Sequence, residues 1–210
     1  PHILGDKMSR EPRISALCLQ SQTEGYDGII KDKFSSDEYG NYGKILRKEG
    51  LLTSSVGRLF DGVSSLLGIV DYNTYEGEAA MVLESLATEY LENNPEYHDK
   101  YDVEITEKGV VRTRDLVSGI LEDIVHGVNP AQIACKFHIS LIEVIQKFLI
   151  KFDMQNVVFS GGVFQNSLLV DLINAKLNDQ YSVYFHKELS PNDECIPFGQ
   201  LIAYQIFKPN

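Results

Sequence analysis

Two adjacent glycines, Gly161 and Gly162, mark the part of the sequence best suited to binding chemistry. They follow the apolar run 157–159 and precede a helical pattern that opens near Asn166. Because glycines lack a Cβ atom, the backbone here can lie close to a ligand, and the free N–H groups of the next helix would point at it. This geometry suits a phosphate, a ribose or a base. A strand–Gly-Gly–helix turn is also an ordinary connection, and both interpretations are open on this pattern alone.

Two aspartates are further candidates for a binding site. Asp193 follows a strand-like segment and precedes a helix start, where a carboxylate is a good ligand for a hard cation. The same position also suits a helix N-cap or an Asx turn. Asp61 lies one helical turn beyond Gly57 and could accept hydrogen bonds from ribose hydroxyls. The alternative is that Asp61 belongs to the solvated face of an amphipathic helix.

Other kinds of active site are disfavoured by residue spacing. The five histidines include no pair at i,i+4, so no helix carries a two-histidine metal clamp. Ser160 lacks the Gly-x-Ser-x-Gly elbow, and the sequence places no histidine to activate it, so we do not expect a serine hydrolase. Cys195 follows Asp193 closely, but a lone cysteine is usually a small packed apolar group.

The C-terminal part of the chain has the order strand, helix, strand, helix. We predict strands over 156–160 and 182–185, a helix over 167–177, and a last helix with Pro197 near its start. Strands separated by such helices form parallel sheets, which bind ligands outside the carboxyl ends of their strands. Gly161-Gly162 and Asp193 both lie at such ends, so we expect them to face one pocket.

Upstream of this tail the apolar spacing is mainly helical. A helix over about 56–67 repeats its apolar residues every 3.6 positions after the hydroxyl caps Thr53, Ser54 and Ser55. A second cap, Ser140, is predicted to begin the helix that precedes the first strand. Alternation of apolar and polar residues over 101–111 indicates a small hairpin. Further helices are predicted over 13–20, 38–48, 79–91, 116–126 and 131–137.

Composition limits the classes of function. The 210 residues are 43% hydrophobic and carry a formal charge of −11, which disfavours direct nucleic-acid binding. The three cysteines are widely separated and fit a reducing, cytoplasmic setting. No apolar run approaches the roughly 20 residues of a membrane-spanning helix. The chain starts without Met, and we expect it to be a fragment of a longer protein.

Five ordered blocks of sequence resemble the C-terminal region of the HypF family of hydrogenase-maturation carbamoyltransferases. They are spread over nearly the whole chain, which makes the joint resemblance far more specific than any single block. The blocks are Gly5-Asp6-Lys7 with Arg10-Glu11-Pro12, Leu52-Thr53-Ser54-Ser55-Val56-Gly57-Arg58-Leu59-Phe60-Asp61, Tyr75-Glu76-Gly77-Glu78-Ala79-Ala80, Ser160-Gly161-Gly162-Val163-Phe164-Gln165-Asn166, and Pro191-Asn192-Asp193 with Gly199-Gln200.

The resemblance implies an α/β fold, a ribonuclease-H-like half of an ASKHA (actin- and Hsp70-like ATPase) fold with added helices. Residues 1–112 would be a largely helical part, and residues 113–210 the ribonuclease-H-like part with the nucleotide-binding glycine turn. The implied ligands are ATP or carbamoyl-adenylate and a divalent metal that is completed by histidines outside this chain. Carried over by motif, Asp61 and Gly77 would contact the nucleoside, Gly161, Gly162 and Asn166 would line the ribose and base, and Asp193 would bind the metal.

The activity that the resemblance implies is transfer of a carbamoyl group to the C-terminal cysteine of a HypE-like partner protein. Full-length relatives make carbamoyl-adenylate in a separate module. Glu194 and Cys195 depart from the family pattern, which has glycines after Pro-Asn-Asp. An interaction or regulatory module that keeps the fold without catalysis is therefore the alternative. A tRNA-modifying enzyme is a third possibility, which the acidic charge disfavours unless another subunit binds RNA.

Overall fold

The computed structural model of the chain describes residues 1–26, 28–48 and 50–207. It divides the chain into two compact units, Pro1–Ile145 and Gln146–Asn210. The sequence resemblance implies a boundary after residue 112, between a largely helical part and a ribonuclease-H-like part. That boundary stays a prediction. Within the described ranges, no helix has the length and apolar character needed to cross a membrane.

Helices form the first unit. Helix α4 (Val56–Leu66) starts where the sequence predicts, because the Ser55 hydroxyl accepts the Arg58 N–H at 3.3 Å. In segment 101–111, where apolar and polar residues alternate, Ile105 and Val111 form one antiparallel bridge. The predicted small hairpin is therefore present in a minimal form. The helices are α1 (Lys7–Arg10), α2 (Pro12–Gln20), α3 (Ser36–Leu46), α4 (Val56–Leu66), α5 (Glu78–Asn93), α6 (Thr113–Val125) and α7 (Pro130–Lys151), the last of which runs past the end of the unit.

Helices α2 and α4 pack closely at Gly62. A Cβ atom at Gly62 would overlap Leu19 Cδ1 and lie 3.2 Å from the carbonyl carbon of Ser15. Phe60, on the same helix, is 1% exposed, and its ring centroid is 5.0 Å from that of Phe137. Burying a side chain of this size contributes roughly 1.5–3 kcal/mol to the stability of the fold. The glycine therefore sets the distance between two helices that build much of the core.

A buried cation joins the start of α2 to the segment around α3. Arg13 is 4% exposed and donates to Glu11 at 2.7 Å, to Glu38 at 3.0 Å and to the Lys33 carbonyl at 2.6 Å. Burial lowers the pKa of Arg13, but its hydrogen bonds with Glu38 and Glu11 raise it more, so the net change is upward. The bond from Arg13 lowers the pKa of Glu38 to about 2. The guanidinium thus stays charged and fully paired.

Helix α7 is continuous, whereas the sequence predicts a break before Ser140. The Ser140 hydroxyl donates to the Lys136 carbonyl one turn back at 2.6 Å and accepts the Tyr101 N–H at 2.7 Å. A serine that bonds back to its own helix and to a neighbouring segment is fully satisfied inside a helix. The predicted cap is therefore wrong, and the residue instead ties the segment before the hairpin to α7.

The second unit is built around a parallel pair of strands. Strands β1 (Asn156–Phe159) and β2 (Ser182–Phe185) pair in register, with Phe159 opposite Phe185. Helix α8 (Ser167–Leu177) connects them, and its Ile173 and Leu177 are fully buried. Helix α9 (Ile196–Ile206) follows β2. The predicted order and the parallel pairing are confirmed, and both strands end at one edge of the sheet.

Candidate functional site

The loops that follow β1 and β2 touch each other. The Gly161 N–H donates to the Pro191 carbonyl at 2.7 Å. A Cβ atom placed on Gly162 would lie 3.7 Å from Asn192 Cβ. The structure therefore brings the diglycine turn and the Pro-Asn-Asp segment together, as the sequence predicts. Their role in ligand binding stays a prediction.

The backbone of Gly161 has a conformation that is almost restricted to glycine. Its φ is 108° and its ψ is 155°, where a side chain would clash with its own backbone. A Cβ atom built on Gly161 would meet no atom within 4 Å, so the space beside the backbone is open. Gly162 then starts the short 3₁₀ turn Gly162–Gln165. An open approach to bare backbone fits a phosphate, ribose or base.

Asn166 fixes the start of α8. Its side-chain oxygen accepts the Leu169 N–H at 2.8 Å, and the residue is 8% exposed. This is a standard N-cap, which orients the helix that follows the glycine turn. Contact of Asn166 with the ribose or base stays a prediction.

Asp193 opens a short 3₁₀ turn, Asp193–Cys195, but it does not cap that turn. The capping oxygen belongs to Asn192, which accepts the Glu194 N–H at 3.0 Å. The alternative that Asp193 itself is the cap is therefore wrong. Its exposed carboxylate suits one coordination position of a hard cation. Among the described residues, no three His, Cys, Asp or Glu side chains group around a metal position, so further ligands would come from elsewhere.

A histidine lies against Ser160, a contact that the sequence reasoning missed. His186 Nε2 lies 2.9 Å from Ser160 Oγ. Each residue directly follows its strand, and the last strand residues, Phe159 and Phe185, are register partners. The predicted parallel pairing contained this signal, because residues that follow paired strand ends are neighbours. The expectation that no histidine accompanies Ser160 is wrong.

Asp61, on α4, is buried within the first unit. It is 3% exposed, and its Oδ2 lies 2.7 Å from Arg58 Nη1. Burial raises the pKa of Asp61 to about 6, although Arg58 and Asn73 both act to lower it. Asp61 is therefore not on a solvated face, which was the alternative interpretation. A buried carboxyl with a displaced pKa is typical of functional sites.

Asn73 organises the backbone near Asp61, and the sequence reasoning missed it as well. Its side chain donates to the Ser9 carbonyl at 2.8 Å and accepts the Ala79 N–H at 3.0 Å. It thereby joins α1 to the start of α5. Gly77 is the N-cap residue of α5, with a φ of 82° that favours glycine. The structure thus gives Gly77 a clear local role, and its contact with a nucleoside stays a prediction.

Known proteins resemble this chain along most of its length. The family described as "Carbamoyltransferase, Kae1-like Domain, second subdomain" matches residues 1–200. "Carbamoyltransferase HypF" of Synechocystis sp. is 33% identical over 96% of this chain and 29% of that protein. "Probable carbamoyltransferase HypF" of Methanocaldococcus jannaschii is 30% identical over 95% of this chain and 27% of that protein. The chain thus spans less than a third of the length of these relatives.

Solved structures agree with this assignment. A full-length HypF in its phosphate- and nucleotide-bound form matches with a TM-score of 0.81 and 27% identity, over 98% of this chain and 33% of that one. The HypF of T. kodakarensis matches with a TM-score of 0.75 and 26% identity, over 93% of this chain and 27% of that one. The predicted fold class, an ASKHA-type α/β fold with added helices, is confirmed. This chain belongs to the HypF carbamoyltransferase family, as the second subdomain of its Kae1-like domain.

Proposed function

We propose that this chain is the part of a HypF-type carbamoyltransferase that binds an adenine nucleotide, either ATP or carbamoyl-adenylate. It would pass the carbamoyl group to the C-terminal cysteine thiol of a HypE-like partner in the cytoplasm, during nickel–iron hydrogenase maturation. The main support is the 2.7 Å hydrogen bond from Gly161 to Pro191, which joins two loops at the carboxyl ends of parallel strands. Ligands of open α/β sheets bind at such a place.

The residues of the second unit would act mainly by positioning. Bare backbone at Gly161 and Gly162 would allow close approach of the ribose or base, and the N-cap at Asn166 orients α8 beside them. The Asp193 carboxylate would hold a divalent metal together with histidines outside this chain. When bound, that metal would neutralise phosphate charge and polarise the acyl phosphate. Orientation of the two reactants would contribute further to the rate, and no covalent intermediate with this chain is required.

Residues of the first unit would contribute to nucleoside recognition. The buried Asp61 carboxylate would accept hydrogen bonds from ribose hydroxyls, and Gly77 would let the start of α5 approach the nucleoside. Support comes from the burial of Asp61 and from the backbone bonds that hold Asn73 between α1 and α5. A hydrogen bond to a charged group contributes about 1.5–3 kcal/mol.

Substitution of Asp193 tests this proposal in the intact protein that contains the chain. We expect Asp193→Ala to weaken magnesium-dependent ATP binding by at least about tenfold, as measured by calorimetry with and without the metal. Asp179→Ala is the matched control, because Asp179 is also exposed but lies before β2 rather than after it. Equal magnesium-dependent affinity in both variants would remove Asp193 from the metal site.

A noncatalytic interaction module is the second candidate, because Glu194 and Cys195 stand where the family pattern has glycines. Glu194 is exposed next to Asp193 and adds negative charge beside the expected metal position. A ligand at 100 times its Kd stabilises a folded protein by about 2.7 kcal/mol. A thermal-shift series with ATP and magnesium on the intact protein separates the two candidates, since an interaction module without nucleotide binding would show no stabilisation.

A further inference from the structure

The hydrogen-bonded pair Ser160 and His186 lies at the carboxyl ends of β1 and β2, beside the proposed site. Ser160 is exposed and His186 is half-buried, so the pair is open to a ligand rather than enclosed in the core. Ser160 immediately precedes Gly161, whose N–H contacts Pro191 in the facing loop. The pair therefore stands beside the two loops that the proposed function assigns to the nucleotide.

The pair is held by rigid elements. Ser160 and His186 directly follow Phe159 and Phe185, which are register partners in β1 and β2. The rings of these two phenylalanines are stacked, with centroids 5.1 Å apart and an interplanar angle of 21°. Phe164 packs on Phe159 with a centroid distance of 4.9 Å. Ser160 and His186 are thus the first residues after paired strand ends whose phenylalanine rings stack, and this placement supports the Nε2–Oγ distance of 2.9 Å.

We propose that Ser160 and His186 form a proton relay that activates the acceptor thiol, an inference that rests on the proposed function. A thiol is a poor nucleophile until it loses its proton, because the thiolate is the reactive form. In the relay, Ser160 Oγ takes the thiol proton while its own hydroxyl proton moves to His186 Nε2, in the tautomer protonated at Nδ1. Imidazole suits this task because its charge ordinarily changes between about pH 5 and 8.

The bond changes of the step balance. The thiol sulfur forms a bond to the carbamoyl carbon, and the bond from that carbon to the phosphate oxygen breaks. AMP leaves with the electron pair of that bond, and the thiol proton ends on the relay, from which His186 returns it to solvent. Ser160 would be the group that meets the thiol, and His186 acts through it. The serine forms no covalent bond to the carbamoyl group.

The test uses the intact protein, carbamoyl phosphate, ATP and a HypE-like partner with a C-terminal cysteine. We expect His186→Gln and Ser160→Ala each to lower kcat for transfer by about 100-fold or more, the range of general base catalysis. Nucleotide affinity should stay within about twofold, which also reports that the variants fold. Because both act in one relay, the double variant should be no slower than the slower single variant within about twofold. Ser160→Thr keeps the hydroxyl and should restore most of the rate.

A second nucleophile that accepts the carbamoyl group distinguishes removal of the thiol proton by the relay from simple positioning of the thiol. Replacing the terminal cysteine of the partner by selenocysteine supplies a nucleophile that is already ionised at neutral pH, so loss of the relay should cost less than about tenfold. His98→Gln and Ser182→Ala are the controls and should keep full activity, because both positions are exposed and lie away from the carboxyl ends of the strands, His98 in the first unit and Ser182 at the start of β2. Equal losses with both acceptors, or variants that keep the unmodified rate, would overturn the relay. An unmodified protein that binds nucleotide but transfers no carbamoyl group would overturn the proposed function itself.

Discussion

The buried carboxyl of Asp61 makes a quantitative prediction about stability against pH. Its pKa is about 6 in the folded chain against an ordinary 3.8. Between these values the folded state holds a proton that the unfolded state has lost, so the free energy of unfolding falls as pH rises. Well below pH 3.8 the carboxyl is protonated in both states, so the whole stabilising contribution of its raised pKa is present there. About two pH units at about 1.36 kcal/mol each give a loss of about 3 kcal/mol by pH 7.

Asp61→Asn removes this titration. Relative to the wild type, the free energy of unfolding of the variant should therefore rise by about 2.5 kcal/mol between pH 4 and pH 7. Urea unfolding at four pH values measures this difference, with the far-ultraviolet circular dichroism of the helices as the probe. Glu92→Gln, at an exposed position on α5, is the control for general charge effects. A difference between Asp61→Asn and wild type that stays constant within about 0.5 kcal/mol across this range would refute the reasoning.

Four glycine substitutions, each measured by urea unfolding, test the backbone and packing arguments in pairs. Gly161→Ala should destabilise by roughly 1–3 kcal/mol because of its φ of 108°, whereas Gly162→Ala should lose less than about 1 kcal/mol, since its Cβ would make an ordinary contact with Asn192 at 3.7 Å. Gly62→Ala should cost about 1–3 kcal/mol by forcing α2 from α4. Gly40→Ala, on α3 with no atom within 4 Å, should stabilise by about 0.5–1 kcal/mol. A reversed order within either pair would contradict the corresponding argument.

Local patterns predict the second unit well. Apolar runs, glycines and caps are short-range signals, so β1, α8 and β2 appear where the sequence places them. The parallel pairing follows from the length of the connection through α8, and with it the meeting of the loops at Gly161 and Pro191. This part of the candidate site is therefore accessible to reasoning from sequence alone.

Packing against several neighbours is what the sequence could not reveal. Apolar periodicity on α4 predicts one buried face and one solvated face, which would leave Asp61 in water. In the structure Ser64 and Ser65 are also fully buried on this helix, because other elements cover its polar side as well. Asn73 was missed for a related reason: its bond to the Ser9 carbonyl joins residues 64 positions apart, which are close only after folding. The break predicted in α7 fails because Ser140 finds its partners across the unit.

The geometry of Asp61 gives its burial a functional explanation. Its Oδ2 lies 2.7 Å from Arg58 Nη1 but accepts no hydrogen bond of good geometry, so the ion pair only partly offsets the burial. A side chain selected for stability alone would not cost about 3 kcal/mol at neutral pH. Under the proposed function, ribose hydroxyls would donate to the ionised carboxylate, and each such bond contributes about 1.5–3 kcal/mol. One or two of them would offset the cost, so nucleoside binding and the ionised state of Asp61 would stabilise each other.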